Sequence, residues 1–215
     1  MKKMKKMKKI AILFLIVLLI YNPLFSQSEK NVNNKLRFGL GVGFGFFYPT
    51  DVNDLIEAQN KDIIITSGFE QLIMNYSGRM SLTYKVNTRI DLSVCTEYSW
   101  APKLLVVGDN TRYYHFDKFS TGFITKFHIP VKSGKHSIFF APGLHYNFMK
   151  FVDYNKNVYK GNAIGARVEG GLSFNFGSFN LQPFIFYDYA KAIDKTNYDF
   201  ELNYSGVQIG VDFSF

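Results

Sequence analysis

A single cysteine, Cys95, is all this chain has, so no internal disulfide framework can brace it. Standing alone in an alternating segment, it reads as an inert strand residue rather than a nucleophile. The four histidines, His115, His128, His136 and His145, form no H-x-H, H-E-x-x-H or Cys/His spacing, so the usual metal signatures are missing. No serine, histidine and acid stand in a catalytic pattern, and neither catalysis nor a cofactor is expected. No apolar run is long enough for a membrane-crossing helix. The longest, Ile10 to Ile20, would reach about 16 Å as a helix, against a hydrocarbon core of roughly 30 Å. No long segment shows a helical period either.

A real excess of charge is missing too. The formal +8 comes from 25 basic and 17 acidic side chains, but six lysines fall within the first nine residues. Without those six, 19 basic face 17 acidic groups, a balance of +2 that gives no support to nucleic-acid binding. The opening "MKKMKKMKKIAILFLIVLLIYNPLFSQ" has the basic start, short apolar run and small polar exit of a secretory signal peptide. Cleavage is expected after Ser26, and no nearby cysteine offers a lipid anchor. Residues 1–26 are thus a leader, 27–34 a flexible lead-in, and 35–215 one exported domain.

What is abundant is alternation. "KLRFGLGVGFGFFYPT" places glycine at 39, 41, 43 and 45, with bulky apolar residues between. A dinucleotide loop needs two residues before its third glycine, so this is a strand with glycines on one face and Phe38, Leu40, Val42, Phe44 and Phe46 on the other. Eight such segments are expected near 36–47, 75–86, 89–101, 113–129, 137–149, 162–176, 179–190 and 203–215. Their connectors differ sharply in length. Asn87-Thr88, "PVKSGK" and Gly177-Ser178 are short, whereas 48–74, 102–112, 150–161 and 191–202 are long and polar. Short turns at one rim and long loops at the other is the layout of an outer-membrane barrel with periplasmic turns. In the first long segment, Val52, Leu55 and Ile56 have helical spacing after a possible cap at Thr50 or Asp51, which suggests a short helix on the rim.

A lipid-spanning chain must satisfy its backbone polar groups internally, and a closed sheet does so without edges. The apolar face then meets lipid while the polar face fills a narrow cylinder. On that reading the four glycines point inward and make room for neighbouring side chains. Arg37, Arg79, Lys85, Arg89, Asp91, Glu97, Lys126, Arg167, Glu169, Asp188 and Asp212 are interior charges, paired because a lone buried charge is costly. His128 and His145 also face inward. Tyr48, Trp100, Tyr113, Tyr114, Tyr146 and Tyr189 fall near strand ends as an interfacial girdle. The rival fold is a water-soluble barrel, which would turn its apolar face inward.

The last strand, "NYSGVQIGVDFSF", resembles the C-terminal signal of outer-membrane barrels, carried by Gly210, Phe213 and Phe215. Across 35–215 the chain resembles the small eight-stranded OmpA/OmpX-like barrels, and "FYPTDVND" resembles versions common in Bacteroidetes. The resemblance implies an all-β, antiparallel up-and-down transmembrane barrel in the outer membrane of a Gram-negative bacterium. It also implies that Gly210, Phe213 and Phe215 are read by the barrel-assembly machinery. The expected partners are outer-membrane lipid, that machinery and an unidentified ligand of the exposed loops, with the chain itself a monomer. A structural or adhesive role is expected. The alternatives are a part in envelope assembly or protein secretion, similar to PorT, and a lipid A-modifying barrel enzyme.

Overall fold

The computed structural model describes residues 35–61, 63–65, 71–72, 74–131, 136–194 and 200–215. The expected leader and lead-in lie outside them. Eight strands follow in chain order: β1 (Leu36–Phe47), β2 (Met74–Lys85), β3 (Ile90–Val107), β4 (Asn110–Pro130), β5 (His136–Val152), β6 (Val158–Asn175), β7 (Asn180–Ile193) and β8 (Glu201–Ser214). Each pairs antiparallel with its sequence neighbours, and β1 also pairs with β8, so the meander closes into a barrel without an open edge. One helix, α1 (Thr50–Asn60), stands between β1 and β2.

Alternation sets the two surfaces. Outward stand Val42, Phe123, Leu144 and Ile164, which are 62%, 72%, 63% and 75% exposed, with similarly bare apolar residues on every strand. Inward stand Arg79, Glu97, Lys118, Lys126, Arg167, Glu169, Asp188 and Asp212, all buried. A protein that folded only to hide grease from water would show the opposite arrangement.

The ends of the barrel differ. The turn end holds Leu36, Phe215, the connections at 86–89 and 176–179, and the facing strand ends Pro130 and His136. At the helix end, most of the expected long loops are strand instead. The segment 102–112 runs straight through β3 and β4 to a two-residue turn at Gly108-Asp109, with Val107 opposite Asn110. Gly108 takes φ +56 there, a conformation that favours glycine. The expected connection at 150–161 likewise shrinks to 153–157, and β7 reaches Ile193 while β8 begins at Glu201. Polarity pointed to loops, but alternation continues beneath it, and Leu105, Tyr114 and Leu202 are fully buried.

Helix α1 does not lie on the rim. Val52 and Ile56 are fully buried in an apolar cluster with Phe47, Leu105, Tyr114, Phe151 and Leu202, so the helix is lodged in the barrel mouth. Neither expected cap operates. The N-cap residue is the extended Pro49, while the Asp51 carboxylate accepts the Glu201 backbone N–H at 2.8 Å. The Asn60 amide donates to the Tyr114 hydroxyl at 2.9 Å, and Arg112 donates to Asn60 Oδ1 at 2.7 Å, stitching the last turn to β4.

Candidate functional site: a charged interior between two closed ends

Because inward residues on adjacent strands share a level, the charges meet in two groups. Toward the turn end, Arg79 forks onto Glu169 at 2.6 and 3.2 Å and reaches Asp212 at 3.2 Å. Lys126 lies 3.8 Å from Glu169 and donates to Gln182 at 2.7 Å. Toward the helix end, Arg167 forks onto Glu97 at 2.8 and 3.0 Å and reaches Asp188 at 3.0 Å. Lys118 contacts Asp188 and lies 3.8 Å from Glu97, and His145 Nε2 is 2.6 Å from Asp188. Each group holds two basic side chains and two carboxylates, so formal charge cancels within it.

Every one of these four cations also stands over an interior ring. Arg167 is 3.8 Å from the Phe186 centroid and Lys118 is 3.7 Å from that of Tyr204. Arg79 and Lys126 are each 5.0 Å from a centroid, those of Phe184 and Phe139. The rings face negative density toward the cations in a site shielded from water, where that attraction is strongest. Carboxylate on one side and aromatic face on another hold each cation in place, and the plug they build leaves little free volume in the middle.

The expected interior residues are therefore distributed unevenly. Arg79, Glu97, Lys126, Arg167, Glu169, Asp188 and Asp212 belong to the plug. Asp91 faces inward but accepts from His128 rather than from an arginine or lysine. Arg37 and Lys85 line the turn-end mouth, outside the plug. Arg89 is not interior: it is exposed in the 86–89 turn, where Asn87 Oδ1 accepts its backbone N–H. Among the girdle residues, Tyr48, Trp100, Tyr113, Tyr146 and Tyr189 are exposed, but Tyr114 is fully buried. Its neighbour Tyr113 takes the outward position, and parity along β4 could have separated them.

Lys118 is the plug member that sequence reasoning missed. It lies eight residues before Lys126 on β4, with the same parity, and that was the available signal. The interior rings were missed as well, because aromatic residues were assigned to the outside. The glycines do face inward, and Gly41 stands directly opposite Arg79 across the β1–β2 ladder. A Cβ at Gly41 would collide with the Asp212 carboxylate, and one at Gly45 with Gln208.

At the turn end a cavity of about 90 Å³ opens below the plug. Here His128 Nε2 lies 3.0 Å from Asp91 Oδ2 and His128 Nδ1 lies 2.9 Å from Ser137 Oγ. Three strands bring these residues together, so no spacing revealed them. The set is not arranged for acyl transfer. The carboxylate holds the other ring nitrogen from that used in serine hydrolases, and Ser137 sits in a two-sided ladder opposite Pro130 and Ser173. Among the described residues, no group of three or more histidine, cysteine or acidic side chains could hold a metal.

Fold and interior together define a small closed eight-stranded barrel with a side-chain plug. The chain is similar to Neisserial surface protein A, with a TM-score of 0.56 at 13% identity over 84% of this chain and 96% of that one. It is also similar to Ail, the attachment invasion locus protein of Yersinia pestis (TM-score 0.44, 13% identity, 83% and 98% covered). A third likeness is to the N-terminal barrel domain of Pseudomonas aeruginosa OprF (0.42, 10%, 83% and 97%). No protein-family model matches the chain, and neither does any curated protein.

Proposed function

We propose that this protein is an integral outer-membrane barrel of a Gram-negative bacterium, exported by a cleaved leader, whose helix end faces outward as a rigid recognition surface. The observation that carries this is the inverted barrel wall. Exposed apolar rows run round all eight strands over an ionic interior, an arrangement stable only where acyl chains replace water outside. The turn end then faces the periplasm. Gly210, Phe213 and Phe215 at the end of β8 would be the elements that the barrel-assembly machinery reads.

The outward end supports recognition by ribbons rather than by loops. The β3–β4 hairpin continues past Trp100, the last residue of β3 that pairs with β2, and past His115, the last of β4 that pairs with β5. It projects Leu104 and Tyr113, both exposed. Rigid scaffolds that present such projections commonly carry binding.

Two measurements test the proposal. The protein should fractionate with outer membranes and, folded in detergent, migrate faster on a gel before boiling than after. Folding to a soluble monomer in plain buffer would refute the membrane assignment. Cells bearing a version in which 103–112 is cut to a two-residue turn should lose surface attachment while the barrel still assembles. Undiminished attachment would move the recognition surface elsewhere.

A further inference from the structure

On the outer wall near the helix end, two lysines stand side by side. Lys150 on β5 and Lys160 on β6 are register partners, so their side chains leave the same face of the sheet about 5 Å apart at Cβ. That face is the outside. Met149 and Phe151, which flank Lys150, are buried inward, and Tyr159 beside Lys160 packs on the interior apolar cluster. Like charges directly opposite each other weaken a sheet, so this pair is unfavourable unless an anion lies across it. The protein supplies little. Asp117 lies 3.9 Å from Lys150, but its carboxylate also accepts from the Tyr98 hydroxyl at 2.9 Å and lies 3.6 Å from His115. Lys160 is exposed, and among the described residues its ammonium has no ion-pair partner; Asp194 accepts its backbone N–H from inside the barrel. Lys191 on β7 differs, being paired with Glu201 at 2.7 Å.

The same two strands carry apolar wall directly below the lysines. Phe148 stands opposite Asn162 one outward row down, and Tyr146 opposite Ile164 in the next. There an open apolar groove of about 470 Å³ is lined by Tyr146, Ile164, Leu144 and Phe123. We propose that Lys150 and Lys160 clasp a phosphate of an outer-leaflet lipid whose acyl chain lies in this groove. A phosphate has the charge and the acceptor oxygens to answer both ammonium groups. Four residues separate the lysine row from the Tyr146 row, about 13 Å along a tilted strand, enough to pass from headgroup to hydrocarbon. A soluble anion would leave the groove bare, and a neutral lipid would leave the lysines opposed. The inference rests on the proposed membrane location and orientation.

The test places the folded barrel in phosphatidylcholine nanodiscs doped with lipid A and measures retained lipid by native mass spectrometry. The unaltered protein should hold phosphorylated lipid A, and Lys150→Gln/Lys160→Gln should weaken that binding about thirtyfold. Lys191→Gln, which removes a lysine already paired, should change retention little. In neutral detergent without lipid A, the double variant should resist urea at least as well as the unaltered protein, since a repulsion has gone. A clear loss of stability there would show that the lysines already have their counter-charge, against the proposal. Lipid A stripped of its phosphates binding as tightly would reduce the site to an apolar groove. Inorganic phosphate binding the detergent-folded barrel as tightly would make it a site for soluble anions. Equal losses from Lys191→Gln and the double variant would replace the site with diffuse surface charge. A barrel that enters the discs but retains no lipid A sinks this inference alone, whereas one that stays soluble outside them sinks the membrane assignment as well.

Discussion

The middle of the barrel and its helix end obey opposite rules. In the middle, apolar rows face out while charges face in, packed on the buried rings of Phe139, Phe184 and Phe186. At the helix end Val52, Ile56, Leu105, Phe151 and Leu202 face in, as in any water-soluble core. One continuous set of strands carries both patterns, and the switch falls between the Lys118–Asp188 pair and the Phe116–Tyr204 contact one layer above. On the membrane reading proposed above, the interior reports what surrounds each level: lipid would solvate the outer wall at the plug, where a polar filling specifies register, and at the helix end the ordinary hydrophobic effect holds α1 as a lid.

The comparison breaks most sharply at the plug. Glu169→Ala should cost about 3–5 kcal/mol, since it leaves Arg79 and Lys126 buried with Asp212 alone to answer them. Urea unfolding in detergent, followed by the fluorescence of Trp100, the lone tryptophan, checks it. Replacing both partners, Arg79→Met with Glu169→Leu, should cost less than the single change. If the double change costs more, the charges stabilise the barrel outright rather than fixing its register.

Ile56→Ala should cost about 2–5 kcal/mol of local packing, and the loss should stay at the helix end. Limited proteolysis should then cut within α1 while the gel-shift signature of the barrel persists. A fall in global stability of the same size would make the lid and the barrel one cooperative unit. On the outer wall, Val211→Arg, in register with Val42 midway along the exposed row of β1, should cost about 2–4 kcal/mol. An insignificant loss there would mean that this face does not meet hydrocarbon.

These two regions were not equally legible in the sequence. Period-two alternation is a local signal, so β1 and β8 came out within a residue or two of their true limits. Of the plug, seven of the expected charges were found from parity alone, but their pairing depends on contacts between residues as distant in the chain as Arg79 and Asp212. Arg89 failed because parity was carried into a turn, where it no longer means anything. The helix end was harder. Its strands are rich in lysine, asparagine and threonine, and they were assigned to loops. The apolar positions that mark a core there, such as Leu105 and Leu202, only make sense once α1 is known to dock on them. The mouth residues His128, Asp91 and Ser137 come from three strands, and only the closed ladder brings them together.

The mildest change sharpens the boundary most finely. Tyr114→Phe keeps the buried ring and removes only the hydroxyl that accepts the Asn60 amide, so it should cost about 0.5–1.5 kcal/mol. Asn60 has a second tie, its amide lying 2.5 Å from the Ile56 carbonyl, so the amide is not orphaned by the change. If the lid is held by apolar burial, Tyr114→Phe should barely raise protease cutting in α1, and far less than Ile56→Ala. If the two raise it equally, the polar stitch from β4 governs closure, and the helix end is a hydrogen-bonded latch rather than a core.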